Sequence, residues 1–339
     1  MLFENEVLGY TGKPDSYYNA IINWVKQRYD LIVTKEVINF VPGIVPGIGM
    51  AMNCFTQKGD KVMIQPPVYH PFAWVTTRNE RTLVINPLKW ENGMYRMDLD
   101  AFREQIKGCK LFILCNPHNP GGVVWTEAEL RAIADICYDE KVLVFSDEIH
   151  ADLTLPPHTH RPFATVSEKA RMNSVTFMSP SKAFNMPGLS ASHALIFNED
   201  LRKRFRIYMD AGELDMGHVF AFLSVEAAYS HGTEWLDQCL AYIQGNIDFV
   251  DEFLKKHAPK IKAIRPEASY LVWLDCRELE LSQKDLNEFF VDKAHLALND
   301  GEMFGKEGIG FMRLNVASPR CIIEKAMKQL ADAYQLYIK

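Results

Sequence analysis

The sequence predicts an α/β protein, with a mainly parallel, doubly wound sheet followed by a smaller α+β lobe. Three observations carry that expectation. Short runs almost continuous in apolar residues recur through the first two thirds of the chain, as strands covered on both faces do. Helical patterns alternate with them, which is the signature of crossover connections in a parallel sheet. After about Tyr229 the texture changes to one long amphipathic stretch followed by isolated strands.

Taken in chain order, "VPGIVPGIGMAM" (41–52) is a Gly-rich lead into a helix whose first free N–H groups would suit an anion. "KVMI" (61–64), "TLVI" (82–85) and "KLFILC" (110–115) read as strands. "TEAELRAIADICYDE" (126–140) reads as a helix, opened by a capping box of Thr126 with Glu129. "VLVFS" (142–146), "SVTFM" (174–178) and "HALIF" (193–197) continue the strand series. "TEWLDQCLAYIQGNIDFVDEFLKKH" (233–257) is a long amphipathic helix that would join two lobes. "YLVWLD" (270–275) and "FMRLNV" (311–316) are strands of the second lobe. The expected division is a large domain over 1–232 and a small one over 233–339.

Composition narrows the partners. The net charge is −6 and no Lys/Arg block occurs, which argues against nucleic acid or an anionic membrane as the main partner. The seven cysteines are scattered and form no C-x-x-C pair, so free thiols in a reducing cytoplasm are expected. No signal peptide opens the chain, and the longest apolar stretch, "INFVPGIVPGIGMAM", is too broken by Pro and Gly to span a bilayer.

In open α/β sheets, ligands gather beyond the C-terminal ends of the strands. The residues found there are "QPPVYHPF" (65–72), "NPHNPGG" (116–122), "DEIHADL" (147–153) and "SPSKAFN" (179–185), with Arg313 inside a strand of the second lobe. An aromatic, an amide, a carboxylate and a lysine thus share one sheet edge. Singly, each has an ordinary structural reading: Asp147-Glu148 a helix cap, Tyr69 core, "NPHNPGG" a tight turn. Jointly they suit a carbonyl cofactor. Lys182 can form a Schiff base. Pyridoxal phosphate also wants a carboxylate for its ring nitrogen (Asp147), an aromatic face (Tyr69), a donor to its phenolic oxygen (Asn119), and hydroxyls for its phosphate (Ser179, Ser181). A metal site is the rival, because "PPHTHRP" (156–162) offers His158 and His160, and His150 precedes Asp152. No Cys or Glu stands at ligand spacing, so no metal is expected. A serine hydrolase is weaker still, for want of a G-x-S-x-G elbow.

These motifs, in this order, resemble the fold-type I pyridoxal-phosphate enzymes related to class I/II aminotransferases, from about Gly9 to the C-terminus. "PPVYHPF", "NPHNPGG", "SDEIHADL", "SPSKAFNMPGL" and "RLN" carry the likeness. The aminotransferase pattern has a tyrosine three residues after the ring-binding aspartate; here stands His150, as in the cystathionine β-lyase (C–S lyase) branch.

The resemblance implies a three-layer, aspartate-aminotransferase-like large domain and specific roles. Lys182 would join the cofactor, and Asp147 would pair with its pyridinium. Tyr69 would stack on the ring, with Asn119 at the phenolic oxygen and His150 nearby. Ser179, Ser181 and the amides of Ile44 and Val45 would hold the phosphate. Arg313 would grip the α-carboxylate of a small amino-acid substrate. Tyr10 would reach the neighbour's phosphate in a homodimer with shared active sites. The family places some tens of residues before the Gly9-Tyr10 segment, shaping the substrate entrance; this chain begins almost at that motif. The implied reaction is β-elimination of L-cystathionine or related cysteine S-conjugates to pyruvate, ammonia and a thiol. The alternatives are a class I/II aminotransferase and a non-catalytic, regulatory protein that keeps the cofactor as a structural ligand.

Overall fold

The computed structural model describes residues 9–337. Its strands are β1 (Ile38–Val41), β2 (Lys61–Ile64), β3 (Thr82–Ile85), a hairpin of β4 (Lys89–Glu91) and β5 (Met94–Arg96), β6 (Cys109–Cys115), β7 (Leu143–Asp147), β8 (Ser174–Met178) and β9 (Ser192–Leu195). In the second lobe lie β10 (Lys262–Ile264), β11 (Leu271–Asp275), β12 (Asn299–Asp300) and β13 (Phe311–Asn315). The helices are α1 (Asp15–Tyr29), α2 (Ile44–Phe55), α3 (Pro71–Arg78), α4 (Leu99–Gln105), α5 (Glu127–Asp139), α6 (Glu168–Met172), α7 (Glu199–Asp210), α8 (Val219–His231), α9 (Thr233–His257), α10 (Gln283–Glu288) and α11 (Arg320–Tyr337).

The large sheet has the order β1-β9-β8-β7-β6-β2-β3. Strands β3, β2, β6, β7 and β8 run parallel, as the apolar runs predict. The exception is β9, which pairs antiparallel with both β8 and β1. Alternate residues explain why these strands read as unbroken apolar runs. Val62, Leu111, Ile113, Phe145, Val175 and Phe177 face one helical layer that includes α2 and α7. Met63, Phe112, Leu114 and Val144 face α5, while Met178 and Leu195 face α1 and α8. Both faces of the sheet are therefore dry. The capping box at α5 forms as expected, with Thr126 Oγ1 accepting from the Glu129 N–H and Glu129 returning the bond.

The start of α2 lies close against the sheet. A Cβ on Gly47 would stand 2.9 Å from Val41 Cγ2 and 3.2 Å from Phe177 Cε1, so only glycine allows this approach. Gly43, just before the helix, has φ of 126°, a conformation that side chains rarely adopt.

The second sheet, β10-β11-β13-β12, is antiparallel throughout. One face packs on α9 and α11 through Ile243, Ile247, Val272, Leu274, Met312 and Met327. The other turns Trp273 and Phe311 toward the large sheet's helical layer; their rings stack at 5.3 Å.

Candidate active site

A cavity of about 490 Å³ opens where the C-terminal ends of β2, β6, β7 and β8 meet the second sheet. Tyr69, Asn119, Asp147, His150, Ser181, Lys182 and Arg313 all line it, as do Ile44 and Val45 at the start of α2. Hydrophobic burial of the strands fixes their positions, because all but Arg313, which lies within β13, stand at or just after a strand end or at the start of α2.

Lys182 sits in a turn after β8, closed by the Phe184 and Met186 N–H groups on the carbonyls of Pro180 and Ser181. Its amine has no hydrogen-bond or ion-pair partner among the described residues. Burial and the nearby Arg313 guanidinium push its pKa below the usual lysine range, and Asp147 opposes them only in part.

Asp147 is the last residue of β7, between Cys115 and Phe177 in register. The carboxylate is 3 % exposed and accepts one bond, from the Ile149 N–H at 3.1 Å. Burial raises it to about 7, with the Glu148 charge adding to the rise and Lys182 opposing it. A buried carboxylate with one donor lacks a cationic partner.

Arg313 crosses from the second sheet. Its Nη1 donates to Asn119 Oδ1 at 3.0 Å and its Nη2 to Asn299 Oδ1 at 2.7 Å. Its Nε is buried and unpartnered, and the guanidinium lies 4.6 Å from the centre of the Phe304 ring. Burial lowers it to about 10, still cationic at neutral pH. Asn119, its oxygen held by Arg313, keeps its amide N–H groups for another acceptor. His150 is buried with Nδ1 unpartnered; burial, Lys182 and Arg313 together depress it to about 3, so its ring is neutral.

The α2 start is built for an anion. Gly43 supplies no side-chain cap, and the Ile44 and Val45 N–H groups have no acceptor among the described residues. Ser181 faces the same corner. Ser179 does not line the cavity: its hydroxyl donates to the Ala191 carbonyl at 2.7 Å and accepts from the Ser181 N–H at 3.1 Å. Tyr10 lies outside its own chain's cavity and is fully exposed.

The structure also adds residues to which the sequence reading gave no role. His70, Tyr270, Ser190 and Asn315 line the cavity, and Asn299 holds Arg313. Tyr270 precedes β11, but β11 is antiparallel to β13, with Leu271 opposite Asn315, so its beginning lies at the cavity edge. Among the described residues no group of three or more His, Cys, Asp or Glu could hold a metal; His160 instead meets Glu148.

Pyridoxal phosphate fits this donor set. The unpartnered amine of Lys182 suits its aldehyde, the partner-poor Asp147 suits its ring nitrogen, and the open N–H groups of α2 suit its phosphate.

The sequence matches the family described as "Aminotransferase class I and II" over residues 5–330. It is 37% identical over 332 residues to the cystathionine beta-lyase PatB of Bacillus subtilis, covering 97% of this chain and 86% of that one. Among solved structures it is similar to cystalysin from Treponema denticola, which contains pyridoxal 5'-phosphate (TM-score 0.96, 34% identity, 98% of this chain and 85% of that one). It is also similar to a PLP-bound putative aminotransferase from Clostridium difficile 630 (TM-score 0.95, 40% identity, 97% and 85%). With the match running over nearly the whole chain, the chain belongs to the aminotransferase class I and II family.

Proposed function

We propose that this protein is a pyridoxal-phosphate-dependent C–S β-lyase that cleaves L-cystathionine or related cysteine S-conjugates. The observation that carries the reading is the unpartnered Lys182 amine, depressed in pKa, sharing one cavity with buried Asp147 and Arg313. The 37% identity to a cystathionine beta-lyase, and His150 three residues after Asp147, favour elimination over amino transfer.

When bound, pyridoxal phosphate supplies an aldehyde that condenses with an amino group and a protonated pyridine ring that draws electrons from the substrate Cα. Arg313 holds the substrate carboxylate with the donors that Asn119 and Asn299 leave free, so that Cα faces Lys182. Lys182 takes the Cα proton; the bond from Cβ to sulfur then breaks, and the proton is at hand for the leaving thiolate. Asp147 would keep the proton on the ring nitrogen. Tyr69 would lie against the ring, Asn119 would donate to the phenolic oxygen, and Ser181 with the Ile44 and Val45 amides would hold the phosphate. Ser179 steadies that corner through Ser181.

The same reading makes the protein a cytoplasmic homodimer, divided into domains at 232/233, in which Tyr10 reaches the phosphate of the neighbouring chain. What supports it is that Tyr10 is exposed and outside its own cavity, that all seven cysteines are free, and that no described helix is long and apolar enough to cross a membrane. The test of the reaction is L-cystathionine without any 2-oxo acid. Pyruvate, ammonia and homocysteine should appear in equal amounts. Product only when a 2-oxo acid is supplied would make the protein an aminotransferase instead.

A further inference from the structure

Behind Asp147, away from the cavity, lies a buried polar cluster that the reaction as described does not use. Glu148 has a fully buried side chain and accepts three hydrogen bonds: from Ser146 Oγ at 2.8 Å, from the Phe163 N–H at 2.8 Å, and from His160 Nε2 at 2.8 Å. Its own N–H donates to the Phe177 carbonyl. The Phe163 N–H can only donate, so the carboxylate is an acceptor there, and the Ser146 hydroxyl and His160 ring stand at hydrogen-bond distance from the same group. His160, 1 % exposed in its side chain, has no partner for Nδ1. The other titratable groups around the cluster are Asp152, which accepts from Trp24 Nε1 and the Tyr29 hydroxyl, and, on the cavity side, Asp147 with Lys182 beyond it. The segment 147–152 therefore buries three carboxylates, with no Lys or Arg ion-paired to any of them among the described residues.

We infer that Glu148 is a positioning residue for the reaction: it clamps the end of β7 and adds a fixed negative charge that keeps Asp147, and through it the cofactor's ring nitrogen, in the proton-holding state. From the His tract of 156–162, His160 joins this cluster, its Nε2 2.8 Å from Glu148, while His158 lies beside Glu267 instead. The inference rests on the proposed cofactor reading for its catalytic consequence, but its electrostatic part belongs to the chain alone.

Glu148→Gln is nearly isosteric and keeps acceptors for Ser146 and Phe163 while removing the charge. In the apoprotein, carboxyl-carbon NMR should show Asp147 titrating lower by about one pH unit, a tenfold change in its proton affinity, because the like charge is gone. In the holoenzyme carrying 15N-labelled pyridoxal phosphate, the ring nitrogen should lose its proton at lower pH, and kcat should fall with KM little changed. His160→Gln keeps the carboxylate and an N–H donor, so both titrations should stay as in the parent. Unshifted titrations in folded Glu148→Gln would overturn the inference, as would an equal shift in His160→Gln, which would give the role to the imidazole. If the apoprotein shift appears but no thioether is cleaved, the lyase reading fails and the electrostatic role of Glu148 stands.

Discussion

Asp147→Asn should act in opposite directions on the empty and the loaded protein. Without a cation beside it, the carboxylate is raised from 3.8 to about 7 by burial. The folded chain therefore binds this proton more tightly than the unfolded chain does. Between pH 4 and 7 the folded state holds more protons, so apoprotein stability must fall as pH rises through that window. A shift of about three units at 1.36 kcal/mol each corresponds to about 4 kcal/mol, all of it present by pH 8. Asparagine has no charge to bury, and its carbonyl oxygen still accepts the Ile149 N–H that the carboxylate accepts at 3.1 Å. Urea unfolding of both apoproteins at pH 4, 6 and 8 should give a stability difference, variant minus parent, that grows by about 4 kcal/mol across the series. Taking the difference removes the other titrating groups, including the buried histidines whose stability terms have the opposite sign. In the holoprotein the order reverses: the amide cannot hold the ring proton, and turnover should fall about 10²–10³-fold, the usual loss for removing one preorganised electrostatic partner. A pH-independent difference between the two apoproteins would refute the account of Asp147 as an unpaired buried acid.

Borohydride should fix the cofactor on Lys182, and peptide mapping to any other lysine would remove it from its role. Arg313→Lys keeps the charge but not the planar fork; losing a charge-assisted bond of about 1.5–3 kcal/mol should lower kcat/KM for L-cystathionine about tenfold to 100-fold, and an unchanged value would free Arg313 from the carboxylate. His193, buried with both ring nitrogens unpartnered, is depressed to about 3, so its stability contribution is complete above pH 6.5 and lost as pH falls toward 3. His193→Leu should flatten the acid limb of the stability profile over that range, and an identical limb would show that another group sets it. Lys182→Ala and Tyr10→Phe, each poorly active alone at limiting cofactor, should recover activity when refolded together, because a mixed dimer holds one site with both residues intact; mere averaging would count against the shared site.

The site was legible in the sequence to the extent that one rule applies: residues just after parallel strands share an edge. Asn119 and Lys182 follow β6 and β8, Asp147 ends β7, and they meet as that rule requires. The rule is blind in three places. Strand direction is not written in apolar content, so "HALIF" reads like its parallel neighbours although β9 is antiparallel. The segment of β1 is embedded in an apolar stretch broken by Pro and Gly, and only pairing with β9 makes it a strand. In the antiparallel second sheet the site edge carries a strand beginning as well as an end, which is why Tyr270 escapes a search of strand ends and Asn315 does not stand out.

Side-chain direction is harder still. Ser179 and Ser181 are equivalent in "SPSK", yet one faces the cavity and the other donates to the Ala191 carbonyl. Likewise Asp147 and Glu148 are adjacent carboxylates on the two sides of a strand end. Alternation sends the first to the cavity with one donor and the second into the protein with three. That difference in partners is what gives two neighbouring acids different work. The poorly satisfied one stays basic enough to hold a proton for a ligand, and its fully satisfied neighbour adds to that rise.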